Sequence, residues 1–456
     1  MTRYTSATDA DRSEMLATIG VSSIEELFDD IPAGLRLDRP LGGLGEGLSE
    51  QEVFEEFRAL AARNVSAEDE ICFLGAGMYD HYVPALVDSI IMRSEFLTPY
   101  TPYQPEISQG GLQAMFEYQT AISELTGLPV SNASVYEGPS AVAAAGYVAK
   151  YTTPGRRKFM ISRGVHPHSR ETLRTHAHAW DMDVTEAPLS GGVTQLLELG
   201  DDVAAVIVQQ PNFLGAVEDL EAIAGAAHEV GALAIAACDP LPLAQLKTPG
   251  ECGVDIAVGE GQSLGNRLDF GGPSFGFFAA TEALMRRIPG RIAGETKDVD
   301  GKRGFVLTLQ TREQHIRREK ATSNICTAQA LNALAGVIYL SWLGQRGIVE
   351  LAELMLQRTA YARERLTAID GVTPLHDKPV VREFAVELGA PVGQVLARCR
   401  EQGINPGYRL GRDYPEHADG LLVAITERRT RADIDRLVAA LENAVLAERE
   451  AVGVST

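Results

Sequence analysis

The stretch with most potential for chemistry runs from Gly253 to Gly276, GVDIAVGEGQSLGNRLDFGGPSFG. A short apolar run, Val254 to Val258, reads as a buried strand. It empties into a loop so rich in glycine that backbone must pass close to something there. Ligands of open α/β sheets sit outside the carboxyl ends of the strands, which marks this loop as a place for a site. It contains no Lys, His or Cys to serve as a strong nucleophile, and Ser263 and Ser274 have no base beside them in sequence.

Three further groups stand at positions where chemistry is built. Asp239, in Cys238-Asp239-Pro240, ends a strand candidate and is placed to pair with a protonated ring nitrogen; a turn or cap explains it equally well. Ser140 closes the run SNASVYEGPS ahead of an Ala-rich helix, where free N–H groups and the helix dipole favour an anion, although plain capping accounts for the same residues. His166 and His168 sit too close on an extended turn to complete a metal site without further ligands, and no carboxylate motif accompanies them. No metal is expected, and His166 is left as a stacking or hydrogen-bonding side chain.

Elements that could position these groups recur at α/β spacing. Strand candidates are 158–161, 203–208, 232–237 and 255–258, with helices at 169–178 and 220–230 between them, the pattern of a doubly wound, mostly parallel sheet. Residues 1–65 read as an N-terminal arm of short helices, 6–19 and 49–62, the second with capping-box spacing from Ser49 to Glu52. Leucines in its Pro- and Gly-rich middle suggest that the arm wraps another surface. The run FLTPYTPYQPE is stiffened by its prolines and displays Tyr100, Tyr103, Gln104 and Glu106 in an extended segment suited to recognition. The spacing beyond residue 310 predicts long helices at 313–320, 328–343 and 348–368. Short strands at 382–387 and 421–426 follow, flanking a helix at 392–401, and a last helix at 431–449 is capped by Thr430. The expected organisation is an arm (1–65), a large α/β domain (66–310), and a connecting helix with a small α+β domain (311–456). That layout is the one used by fold-type I pyridoxal-phosphate enzymes.

Composition bounds the function. The chain has 456 residues, 45% of them hydrophobic, enough for a sizeable core. A formal charge of −21 leaves no clustered positive charge for nucleic acid. No apolar stretch is long enough to span a membrane and the first residues are polar, so the sequence reads as cytoplasmic. Five scattered cysteines indicate neither a disulfide framework nor a thiolate metal site. Only seven lysines exist, so candidates for Schiff-base chemistry are few.

Tyr100-Thr-Pro-Tyr-Gln-Pro-Glu106 with Ser108-Gln-Gly110, Gly77-Met-Tyr-Asp80, Ser131-Asn-Ala-Ser134 with Glu137, and Gly259-Glu-Gly-Gln-Ser-Leu-Gly265 before Phe270-Gly-Gly-Pro273 carry a resemblance over nearly the whole chain. The chain resembles glycine decarboxylase, the P-protein of the glycine cleavage system, and within it subunit 1 of the two-subunit form, similar to the N-terminal half of the single-chain form. The resemblance implies that a homologous subunit 2 carries the Schiff-base lysine a few residues before its own Gly-Gly-Pro. Laid on Gly271-Gly272-Pro273 without gaps, that lysine falls on Gln262, which has no amine to form an aldimine. It further implies pyridoxal phosphate held covalently by the partner and not by this chain, glycine as substrate, transfer of the aminomethyl group to the lipoyl arm of the H-protein, and two copies of each subunit. Ser140, His166, Asp239 and Gln262 would then outline a vestigial cofactor site. Tyr100, Tyr103, Gln104 and Glu106, with the arm, would help to close the partner's pocket. Two alternatives stand beside this reading: an autonomous pyridoxal-phosphate enzyme using another lysine such as Lys247, and a purely structural subunit that stabilises its partner.

Overall fold

The computed structural model describes residues 6–37, 39, 41–43, 45, 47–321 and 323–453. The chain divides into two compact units, Met1–Val65 and Ser66–Thr456. In the first, helices α1 (Asp9–Ile19) and α2 (Glu50–Ala61) both begin with capping boxes. Ser49 Oγ accepts from Glu52 N at 3.3 Å and the Glu52 carboxylate accepts from Ser49 N at 2.8 Å. Neither helix buries a residue, and Phe54 and Phe57 of α2 are exposed.

The second unit is built on a seven-stranded sheet. Its strands are β1 (Val130–Ser131), β2 (Lys158–Ser162), β3 (Asp183–Ala187), β4 (Val203–Gln210), β5 (Leu233–Cys238), β6 (Ile256–Glu260) and β7 (Gly276–Ala280). They lie in the order β1-β7-β6-β5-β4-β2-β3; the five from β6 to β3 run parallel, and β7 and β1 pair antiparallel at one edge. Period-two alternation sorts the strand residues between two cores. Met160, Val206, Ala236, Ala257 and Phe277 face helices α4 (Gln109–Thr126), α7 (Leu220–Glu229) and α8 (Ala330–Thr367). Phe159, Ile207, Ile235, Val258 and Phe278 face α5 (Gly138–Thr152) and α6 (Pro167–Ala179). With helices on both faces, the strands read in sequence as unbroken apolar runs. Helix α3 (Ala85–Ile91) packs beside α8.

One helix expectation changes. Of 313–320, only Gln314–Arg317 forms an α turn, because Arg318 takes φ 53°, ψ −121° and ends it. The helices expected at 328–343 and 348–368 are both present, grouped here as α8 on either side of a break at Gly344 (φ 65°, ψ 179°), a conformation that glycine adopts without a Cβ penalty. No helix of the described residues is long and apolar enough to cross a membrane.

Beyond α8 a second sheet of β8 (Thr373–Pro374), β9 (Glu383–Glu387), β10 (Tyr408–Arg409) and β11 (Gly420–Ala424) pairs antiparallel in the order β8-β9-β11-β10. Helices α9 (Val392–Glu401) and α10 (Arg431–Val452) bury Val395, Cys399, Leu437 and Leu441 with Phe384, Val386 and Val423 of this sheet. Thr430 caps α10 in a capping box with Asp433.

The loop after Phe73 is tied to this second sheet. Ala76 N and Tyr79 Oη donate to the two oxygens of Glu383, each at 2.8 Å. Thr426 Oγ1 donates to Asp80 O at 2.8 Å, and the Asp80 carboxylate pairs with Arg428 at 2.6 Å and Arg429 at 3.0 Å. Burial pushes the Glu383 carboxyl up from 4.5 to about 7.

Two predictions follow from this packing. Ile207 is fully buried in the central strand β4, so Ile207→Ala should lower the unfolding free energy by about 2–5 kcal/mol, read as a reduced urea midpoint at unchanged slope. For Glu383, the folded chain holds its proton more tightly than the unfolded chain. That contribution is complete below pH 4.5, falls as pH rises and is gone above about 7. Glu383→Gln lacks this proton, so the stability of wild type relative to the variant should decline between about pH 5 and pH 8; a pH-independent difference would contradict it.

Candidate functional site

A cavity of about 360 Å³ opens at the carboxyl ends of the parallel strands. Each central strand delivers a residue to it: Gln209 from β4, Cys238 and then Asp239 from β5, Gly259 and Glu260 from β6. The first turn of α5 adds Gly138 and Pro139, the start of α6 adds His168 and Ser169, and the loop of 76–79 closes one side. Arg382 reaches in from beside β9. A Cβ on Gly138 would lie 3.1 Å from Glu260 Cβ, so the lack of a side chain at 138 eases the close approach of the helix to β6. Gly77 at φ 100° lets the loop turn over the His166 ring.

Among mostly apolar walls, three lining side chains are carboxylates: Glu137, Asp239 and Glu260. Glu137 is the N-cap of α5; one of its oxygens accepts from Ser140 N at 3.2 Å and also from the Ser140 hydroxyl. Glu260 accepts from Gly138 N and from Gln262 N, both at 3.0 Å. Two carboxylates thus occupy the donors of a single helical turn. Burial raises the Glu260 pKa, and the nearby Glu137 charge adds to that rise. Asp239 forms an ion pair with the buried Arg382, whose guanidinium lies 3.4 Å from the centroid of the Tyr79 ring. His166 accepts from His168 N at Nδ1 (3.1 Å) and donates from Nε2 to Ala76 O (2.9 Å), which fixes a neutral tautomer; burial lowers its pKa to about 4.

Of the positions singled out in the sequence, His166 and Asp239 line the cavity, Ser140 bonds to Glu137 in its wall, and Gln262 sits behind Tyr79. Gln262 is buried. Its Oε1 accepts from Tyr79 N at 2.9 Å, and its Nε2 donates to Tyr79 O at 3.1 Å and Asn266 O at 2.8 Å. Both polar atoms of the amide bond to Tyr79, and Nε2 also ties the glycine-rich loop to itself at Asn266. Tyr100, Tyr103, Gln104 and Glu106 lie elsewhere and are exposed. Tyr100 borders a small apolar groove with Phe96, Pro102 and Met115, and Tyr103 meets His315 edge-on at 5.6 Å. Lys247 pairs with Glu221 at 3.0 Å on the surface and does not line the cavity. Sequence reasoning passed over Arg382 and Glu383. The available signal was a charged pair, Arg382-Glu383, embedded in the apolar run Val380 to Val386.

Pyridoxal phosphate, expected for the enzyme as a whole, would need an amine for covalent attachment and a cradle for a phosphate dianion. This cavity supplies neither. None of its lining residues is a lysine, and the helix turn that would hold the phosphate already carries Glu137 and Glu260.

The model of the glycine cleavage system P-protein family matches residues 2–441. A probable glycine dehydrogenase (decarboxylating) subunit 1 from Geobacillus thermodenitrificans is 52% identical over 440 residues, covering 96% of this chain and 98% of the relative. The corresponding protein of Moorella thermoacetica is 50% identical over 442 residues, again with 96% and 98% coverage. Among solved structures, an inhibitor-bound glycine decarboxylase (P-protein) of the glycine cleavage system superposes with a TM-score of 0.90 at 46% identity, covering 97% of this chain and all of that one. The cysteine desulfurase CsdA of Escherichia coli (TM-score 0.62, 15% identity, 86% of this chain and 98% of that one) shares the fold alone, that of fold-type I pyridoxal-phosphate enzymes. By match of sequence over nearly its whole length and by fold, this chain belongs to the glycine cleavage system P-protein family.

Proposed function

We propose that this chain is subunit 1 of a two-subunit, cytoplasmic glycine decarboxylase and contributes no Schiff base of its own. Together with subunit 2, in an assembly of two copies of each, it releases CO2 from glycine and passes the aminomethyl group to the lipoyl arm of the H-protein. Pyridoxal phosphate is held by subunit 2, where it supplies the electron sink for the carbanion left by CO2. The observation that carries this reading is Gln262: at the position assigned to the lysine stands an amide that makes two hydrogen bonds to Tyr79 in the loop of 76–79 and a third to Asn266 O. Changing it to Lys would break that clamp and bury an ammonium without a partner.

The contribution of this chain to the partner's pocket is assigned to Tyr100, Tyr103, Gln104 and Glu106 and to the arm of residues 1–65. Support comes from their exposure: Tyr100 is 78% exposed and Tyr103 50%, in a proline-stiffened segment that loses little conformational entropy on docking. Ser140, His166 and Asp239 serve this chain's own cavity, within a large domain of 66–310 and a smaller one of 311–456.

The test is glycine-dependent CO2 exchange with H-protein and pyridoxal phosphate, measured for this chain alone, for subunit 2 alone and for the mixture. Activity is expected only in the mixture; exchange by this chain alone would overturn the assignment of Gln262. Within the reconstituted complex, replacing Tyr103 and Gln104 together by Ala should lower turnover without dissociating the subunits. Unchanged turnover, with assembly confirmed by gel filtration, would remove the aromatic segment from the partner's pocket.

A further inference from the structure

The 360 Å³ cavity is within the size range of small-molecule sites, yet its chemistry is inverted from that of an anion site. The free N–H groups at the start of α5 would ordinarily attract an anion. Here Gly138 N and Ser140 N are taken by the carboxylates of Glu260 and Glu137, and Glu260 belongs to β6, so the occupation joins two elements and is not an ordinary helix cap. The one guanidinium in the wall, Arg382, is paired with Asp239. The cavity surface is therefore net negative.

The wall is also incompletely hydrogen-bonded. Ser263 and Arg382 both line the cavity and are 2% and 3% exposed, and Ser263 Oγ and Arg382 Nε have no hydrogen-bond partner. Glu137 uses only one carboxylate oxygen within the protein. A buried polar atom without a partner costs about 1–3 kcal/mol, so donors and acceptors left open around a cavity define the complement of an occupant.

We propose that this cavity binds a small molecule carrying a protonated primary amine and an oxygen acceptor a few bonds away. The ammonium would meet the free oxygen of Glu137 beside Glu260, relieving the repulsion between two carboxylates on one helical turn. The ligand's oxygen would accept from Arg382 Nε–H or the Ser263 hydroxyl. Phosphate and phosphorylated ligands are disfavoured, because the first turn of α5 is taken by Glu137 and Glu260 and Arg382 is paired with Asp239. The proposal does not depend on catalysis by the two-subunit complex, since the binding is to this chain itself.

Isothermal titration of the full chain with ethanolamine and with glycine distinguishes an amino alcohol from an amino acid as the better occupant, with ethylamine, inorganic phosphate and pyridoxal phosphate as comparators. Saturable binding of ethanolamine or glycine, weaker binding of ethylamine, and no competition by phosphate or pyridoxal phosphate are expected. Glu137→Gln and Glu260→Gln, which both keep an amide oxygen for the helix N–H groups, should each weaken amine binding at least tenfold. Glu137→Gln alone decides the matter if Glu260→Gln does not fold. Absence of binding by both oxygen-bearing amines, competition by phosphate, or amine binding unchanged in Glu137→Gln would overturn the proposal.

Discussion

The buried contact between Glu383 and the loop of 76–79 is the constraint on which the cavity depends. A carboxylate at the start of a strand in the small sheet receives an N–H and a phenol from a loop some three hundred residues earlier. The adjacent Arg382 then lies flat on the Tyr79 ring and reaches Asp239 at the end of β5. Removing any one partner leaves a polar group without its complement in an apolar setting, which costs far more than the net value of the bond itself. The same loop is gripped from the opposite side by the Gln262 amide. The wall formed by residues 76–79 is thus set by two independent clamps, one from the glycine-rich loop and one from the second sheet.

Much of the fold was legible in the sequence because the central strands are covered on both faces. Runs such as Val203 to Val208 carry no polar interruption, and an apolar run of that length between helical segments has few readings other than a parallel strand. Helices α2 and α10 announce their starts through Ser49-Glu52 and Thr430-Asp433, where local chemistry alone decides the cap. The segment 313–320 failed for the opposite reason. Its polar residues have helical propensity but no face to bury, and the backbone turns at Arg318 without penalty to any core.

The site was less legible because its members meet only through tertiary contact. Asp239 was noticed from its place at a strand end, but its partner Arg382 lies in another sheet, and no spacing rule connects the two. Ser140 was read as a potential anion contact from composition at a helix start. The side chain that decides the matter is Glu137, whose carboxylate already fills that role. A glutamate three residues before a serine is an ordinary pattern, and only the arrival of Glu260 from β6 turns it into a negatively charged pocket.

The shape of the cavity and its charge are maintained by different physics. Packing of α5 against β6 is eased by the lack of a side chain at Gly138, and the lock between Glu383 and Tyr79 requires the loop of 76–79 in place; neither needs a ligand. What a ligand needs is matched charge. At the first turn of α5 that charge has been supplied internally by two glutamates, each accepting a backbone N–H that would otherwise seek an anion. This arrangement satisfies the helix terminus while burying a carboxylate beside another; burial raises the Glu260 pKa, and the Glu137 charge adds to the rise. The α5 terminus is saturated by these carboxylates, while Ser263 Oγ and Arg382 Nε are left without hydrogen-bond partners.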